Sequence, residues 1–320
     1  MNWEMLAGTE LGDEIDDRFN DIVVRGSRVW AVAKLGSIVR IADGSLVDRR
    51  NIAGHPRSLG FDERGETGWL GLIVNAGTNA TRLMKTTSGG DVWAPVAGLP
   101  PDPERGICGI SVLDAKTAFA CGTFDSTTGC GILRTEDGDS WEPFPLPRST
   151  ANLVDVHFWD RRWGLAAGGH VESRFGTTRP VVLRTRNGGR YWEPVPIHGE
   201  LPPGSYCWKI FFLDERVGFV SVASTGSYGP FILKTMDAGE SWRATKIGAY
   251  GQTEWDLQGI GFADARRGWV GQFSGPVYET VDGGKSWQPI DLLTDLNRVR
   301  LAGDAVYAGG DAIYRRPRDC

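Results

Sequence analysis

The chain has 320 residues, is 41% hydrophobic and 23% charged, and carries a formal net charge of −5. That hydrophobic content excludes a disordered polymer, and the acidic balance excludes the broadly basic footprint of a nucleic-acid-binding domain. No stretch approaches the roughly 20 apolar residues that a helix needs to cross a bilayer. Residues 1–17 are acidic and lack a basic segment followed by an apolar one, so they do not read as a secretory signal, and a cytoplasmic location is expected. The 44 glycines and 13 tryptophans point to many tight turns and a large aromatic core, as in repetitive β-architectures.

In chain order, the first β-like runs are 20–24, 29–33 and 38–41, followed by a turn at Ala42-Asp43-Gly44-Ser45. From there a unit recurs. A hydrophobic strand, a polar turn and a second strand come first, as in LGFDERGETGWLG (59–71). Its counterparts are ISVLDAKTAFACG (110–122), VHFWDRRWGLAAG (156–168), FFLDERVGFVS (211–221) and IGFADARRGWVG (260–271). About 25 residues later in each unit comes an octapeptide-like turn between two further strands. These read TTSGGDVW (86–93), TEDGDSW (135–141), TRNGGRYW (185–192), TMDAGESW (235–242) and TVDGGKSW (280–287). The copy ending at Trp141 is one residue short, and Ser88 and Asn187 replace the acidic residue in two others. Glycines supply positive φ, Asp or Asn side chains bond to turn backbone, and the Trp covers neighbouring strands.

Two hairpins per unit make four strands every 45–51 residues, the measure of a propeller blade. At the far end 299–302, 305–309 and 312–315 supply three strands and no fourth. The missing strand should begin with Trp-Glu, and Trp3-Glu4 stands alone near the start. Residues 2–8 are therefore expected beside 311–316, closing the ring and covering its edges. The reading is all-β: a single seven-bladed β-propeller over 1–320. Its blades are near 19–51, 52–97, 104–147, 150–197, 204–248, 254–291 and 297–316 plus 2–8.

The octapeptides and the strand-turn-Gly-Trp pattern resemble the Asp-box, or BNR, repeat superfamily over nearly the whole chain. The FADxxxGW-type strand followed by TxDGGxSW is most similar to photosystem II assembly-factor-like propellers. That resemblance implies a non-enzymatic scaffold holding a partner polypeptide on a basic surface. It also implies that the box residues Asp137, Trp141, Asn187, Trp192, Asp237, Trp242, Asp282 and Trp287 are structural. Those carboxylates fall one per blade, whereas a calcium loop needs several oxygen ligands in one dense segment.

No catalytic residue, metal set or cofactor is expected from the motifs. The four histidines (His55, His157, His170 and His198) show no zinc-ligand spacing, and His157 reads as packed within a strand. The sialidase Phe/Tyr-Arg-Ile-Pro motif is absent; Arg179-Pro180 is its nearest match. The alternative function is a glycan-active propeller, hydrolase or lectin, or another enzyme in the central depression. A glycosidase would draw on loop carboxylates such as Glu172, Glu200 and Glu254. The favoured reading places a protein or peptide partner on the loops joining second to third strands and blade to blade, with the chain monomeric. There Arg57, Arg105, Arg148 and Arg298 recur near the start of innermost strands, a potential carboxylate-binding ring. His170, Glu172 and Arg174 lie in a blade 4 loop, and Tyr206, Trp208, Tyr228, Tyr250 and Trp255 offer anchors or inter-blade packing. Five cysteines (Cys108, Cys121, Cys130, Cys207 and Cys320) with no Cys-x-x-Cys fit a reducing compartment. Cys121 and Cys130 could meet across a hairpin loop as a disulfide, or serve as small buried hydrophobes.

Overall fold

In the computed structural model, seven four-stranded antiparallel sheets follow one another as blades of a ring. The structure describes residues 3–8, 18–73, 81–100, 106–122, 131–146, 152–171, 178–225, 229–247, 254–255, 257–272, 275–290 and 295–318. Blade 1 runs Phe19–Arg25, Arg28–Ala33, Ser37–Ala42 and Ser45–Asn51, innermost strand first. The innermost strands of blades 2 to 7 are His55–Phe61, Gly109–Val112, Asn152–Phe158, Tyr206–Phe212, Leu257–Phe262 and Arg298–Ala302. Blade 5 gains two short additions that the sequence did not announce. Ile197–His198 pairs parallel to Trp242–Arg243, and Glu254–Trp255 pairs with Ser224–Thr225.

Closure is as the missing Trp-Glu strand requires. Glu4–Gly8 lies antiparallel to the last strand, Ala312–Pro317, with Glu4 opposite Arg315 and Gly8 opposite Ala312. Trp3 packs edge-on against Trp269 of blade 6 with ring centroids 5.2 Å apart. Trp141 makes the same contact one blade back, against Trp69 at 6.1 Å. Trp3 thus takes the place of a box tryptophan.

The boxes work as a repeated backbone fastener. In all five, the threonine hydroxyl oxygen (Thr86, Thr135, Thr185, Thr235, Thr280) accepts from a glycine N–H in the turn at 2.8–3.0 Å. The next polar side chain accepts from the N–H groups that follow. Asp282 takes Lys285 and Ser286 at 2.9 Å each, Asn187 takes Tyr191 at 2.9 Å, and Ser88 takes Val92 at 3.0 Å. Serine, asparagine and aspartate all serve, so the position asks for a hydrogen-bond acceptor and not for a charge. Where blade 1 lacks a box, Asp43 and Gly44 both adopt positive φ (50° and 77°) in a two-residue hairpin, the turn that best matches strand twist.

Aromatic stacking joins the blades. The second strand of one blade offers a ring to the phenylalanine that ends the innermost strand of the next. Trp30 stacks on Phe61 at 4.3 Å, Phe119 on Phe158 at 3.4 Å, and Phe219 on Phe262 at 3.8 Å. Cys121 is buried, while Cys130 lies outside the described residues, as do the second-to-third-strand loops 74–80, 123–130 and 172–177.

Candidate binding face and central channel

The innermost strands would ordinarily alternate between channel and core. In blades 1, 2, 4, 5 and 6 their pairing slips by a β-bulge near the strand start, at Phe19/Asp21, Pro56/Ser58, Leu153/Asp155, Cys207/Ile210 and Leu257/Gly259. A bulge sets two residues against one and re-aims side chains. Polar residues that alternation would have separated therefore meet around the axis in two layers.

The layer nearer the strand starts is built on Arg57. Its guanidinium donates to Asn20 Oδ1 at 3.0 Å and, across the ring from blade 2 to blade 6, to Gln258 Oε1 at 3.3 Å. It also lies 4.8 Å from the Trp208 ring centroid, a cation–π contact. Beside it opens a pocket of about 270 Å³ lined by Tyr206, Trp208, Val154, Ile73, Cys108 and Thr178 among others. Three of the residues proposed from sequence, Arg57, Tyr206 and Trp208, thus converge.

Arg298 does not join them. The sequence suggested a cation on the loop face; the structure buries it one layer deeper, 3% exposed. Its Nε donates to Asp21 Oδ1 at 2.8 Å, and its two terminal nitrogens grip both oxygens of Asp155 at 2.9 and 3.2 Å. Asp21 belongs to blade 1 and Asp155 to blade 4, so this one guanidinium spans the hub. The reason is complementarity: two buried carboxylates need a fork that can satisfy both. Each carboxylate also accepts a backbone N–H from the following blade, Leu59 for Asp21 and Ile210 for Asp155. Burial by itself would raise both carboxyls. The surrounding cations, Arg298 foremost, hold them below the usual carboxylate range.

Of the other proposed residues, His170 sits in the strand Gly164–Val171 opposite Arg179, one residue beyond Gly169 on the pocket wall. Arg105, Arg148, Glu172, Arg174, Tyr228 and Tyr250 lie outside the described residues, as does the Trp255 side chain. His157 is packed as expected, against Trp159 and Phe212, and burial pushes its pKa down to about 4. Glu200 borders a separate groove with Leu201, Pro202 and Pro203. Among the described residues no cluster of His, Cys, Asp and Glu has a metal-binding arrangement.

Sequence reasoning missed Asp21, Asp155, Lys209 and Gln258. A signal existed. Asp21, Asp155, Lys209 and Arg298 each stand three residues before an apolar residue (Val24, Phe158, Phe212, Leu301) at the last or last-but-one position of the innermost strand. Charged residues at one fixed offset in otherwise apolar strands mark a shared axial position.

Lys209 completes this layer and unbalances it. It is 1% exposed, and its Nζ has no hydrogen-bond partner among the described residues. Burial, reinforced by Arg298 and opposed by Asp155 and Asp21, lowers its pKa from 10.5 to about 8. In the unfolded chain the amine keeps its proton to about pH 10.5, so between pH 8 and 10.5 the unfolded state binds more protons and stability rises with pH. The shift corresponds to about 3 kcal/mol. Lys209→Met should therefore stabilise the protein by roughly 1–3 kcal/mol at pH 7, and its advantage should shrink as pH passes 8 towards 10. Paired urea titrations across that range measure the gap; a less stable variant at pH 7 would contradict the assignment.

No known protein family and no curated protein matches the chain in sequence. Solved structures do. YCF48 from Cyanidioschyzon merolae superposes with a TM-score of 0.65 at 16% identity, over 99% of this chain and 98% of that one. The WD40 propeller domain of Doa1 gives 0.66 at 15% identity, over 98% and 96%. A YCF48 described as bound to D1 peptide gives 0.42 at 17% identity, over 82% and 92%. The ring is a seven-bladed β-propeller. At these identities the likeness is one of fold, and function rests on the residues.

Proposed function

We propose that the chain is a non-enzymatic scaffold of the Asp-box type that holds a protein partner on its loop face, as the resemblance to assembly-factor propellers implies. The observation that carries this reading is the convergence of Arg57, Tyr206 and Trp208 on a pocket of about 270 Å³. That volume falls below the usual range of small-molecule sites, about 300–1,000 Å³, and suits one anchoring side chain of a larger partner. Aromatic and arginine residues are also the types that dominate protein-interface energetics.

The glycan-hydrolase alternative gains nothing from the hub. Such an enzyme needs one carboxyl held protonated beside one ionised, whereas Arg298 keeps Asp21 and Asp155 both ionised.

The test is affinity capture from the native host with Arg57→Glu, Arg105→Glu, Arg148→Glu and Trp208→Ala combined, leaving Arg298 intact because it holds the hub. A specific partner should be lost, with affinity weakened by about tenfold or more while the melting temperature stays near that of the parent. Undiminished capture by a folded variant would refute the loop-face reading.

A further inference from the structure

The innermost strands end at a second opening, on the side of the ring away from Arg57. A cavity of about 230 Å³ lies there, lined by Arg25, Ser111, Asp155, His157, Arg298 and Arg300 with apolar neighbours. Its charges do not balance. Arg298 consumes both Asp155 oxygens and one of Asp21. Arg300 reaches Asp21 only at 3.4 Å and otherwise donates to the Ile22 carbonyl at 3.2 Å. Arg25 is fixed by the carbonyls of Asp62, Phe61 and Val24 at 2.7–2.9 Å. The nearby Asp62 carboxylate accepts from Glu66 and Thr67 within its own turn.

Behind this opening the buried Lys209 amine has no hydrogen-bond partner among the described residues. Arg298, Arg300 and Lys209 therefore face Asp21 and Asp155 around one axis, an excess of one positive charge inside an acidic protein, while Arg25 beside them has the Asp62 and Glu63 carboxylates near it. A neutral donor adds to it. Ser111 Oγ accepts from the Phe158 N–H at 3.0 Å, which leaves its own O–H to donate. His157, kept neutral by burial, adds no charge.

We propose that this opening binds a small free oxyanion of the phosphate class, held by Arg300, Arg25 and Ser111 and balanced electrostatically by Lys209. Fixed guanidinium forks suit tetrahedral oxyanions, and the cavity admits such an ion but not a drug-sized molecule. The excess cation, which costs stability when the channel is empty, then has a function, in the usual trade between stability and binding. The proposal is independent of the loop-face partner, because Arg57 lies in the other layer.

Isothermal titration of the full chain with inorganic phosphate, against chloride at matched ionic strength, tests it. Saturable phosphate binding is expected, weakened by about tenfold or more in Arg300→Met and likewise in Lys209→Met, and unchanged in Arg57→Glu. Lys209→Met guards against a folding artefact, since that variant should be the more stable protein. Acetate in place of phosphate should bind more weakly, as a carboxylate offers fewer acceptor oxygens. No saturable binding beyond the chloride control, or equal affinity in the parent and both channel variants, would overturn the site.

Discussion

Arg298→Met should destabilise the protein by roughly 3–5 kcal/mol, the usual result of stranding buried charge by removing one partner. Both aspartates of the hub depend on this side chain, and the remaining cations replace it poorly: Arg300 is 3.4 Å from Asp21, and Lys209 bonds to neither. The pH dependence follows from the direction of the carboxyl shifts. Asp21 and Asp155 are held below their ordinary value in the fold, so their contribution is present above about pH 4 and fades as acid protonates them. The difference between parent and variant should thus be largest near neutrality and should narrow below pH 4. Urea denaturation at pH 7 and pH 3.5 measures both. A variant as stable as the parent at pH 7 would show that the hub contributes no net stability.

Trp3→Ala should cost a similar amount, roughly 3–5 kcal/mol as for other buried tryptophan truncations. The ring does more than fill space. The Arg316 guanidinium lies 5.5 Å from the Trp3 centroid and 5.1 Å from that of Trp269, so one cation is held against two aromatic faces. Truncation removes the edge-on contact with Trp269 and frees the strand Glu4–Gly8 from its clamp. Amide exchange at Ile313 and Tyr314 should accelerate with the global loss of stability, and Trp3→Phe should restore much of both. Unaltered exchange in Trp3→Ala would mean that strand pairing alone closes the ring.

The fold was legible because its signals are local and repeated. A threonine, a turn acceptor, a glycine and a tryptophan within eight residues specify one hairpin, and five copies specify the period. Even the closure could be read, since a last blade lacking its Trp-Glu strand points to Trp3-Glu4. The hub was not legible in the same way. Asp21, Asp155, Lys209 and Arg298 come from four different blades, and the bulges that help align the first three leave no mark in the sequence. Arg298 looked like Arg57 in sequence, each near the start of an innermost strand. Arg57 falls within the bulge of its strand and reaches the mouth, whereas Arg298 stands in an unbulged ladder opposite Gly309 and turns into the interior. The box aspartates show the converse: they look chemical in sequence, yet serine and asparagine replace them and keep the bond to the N–H four residues on.

The pairing of Glu4–Gly8 with Ala312–Pro317 has a consequence for synthesis in the cell. The early segment leaves the ribosome about 300 residues before its partner strand, so the growing chain accumulates blades as an open stack with two raw ends. At roughly 5–20 residues per second, the first segment waits some tens of seconds before it can dock. During that interval the inner edge of each blade is exposed to water, and the guanidinium that ties blades 1, 4 and 7 has not yet been made. Closure of the ring therefore waits for residues 298–317, which supply both the outer seam and the axial guanidinium.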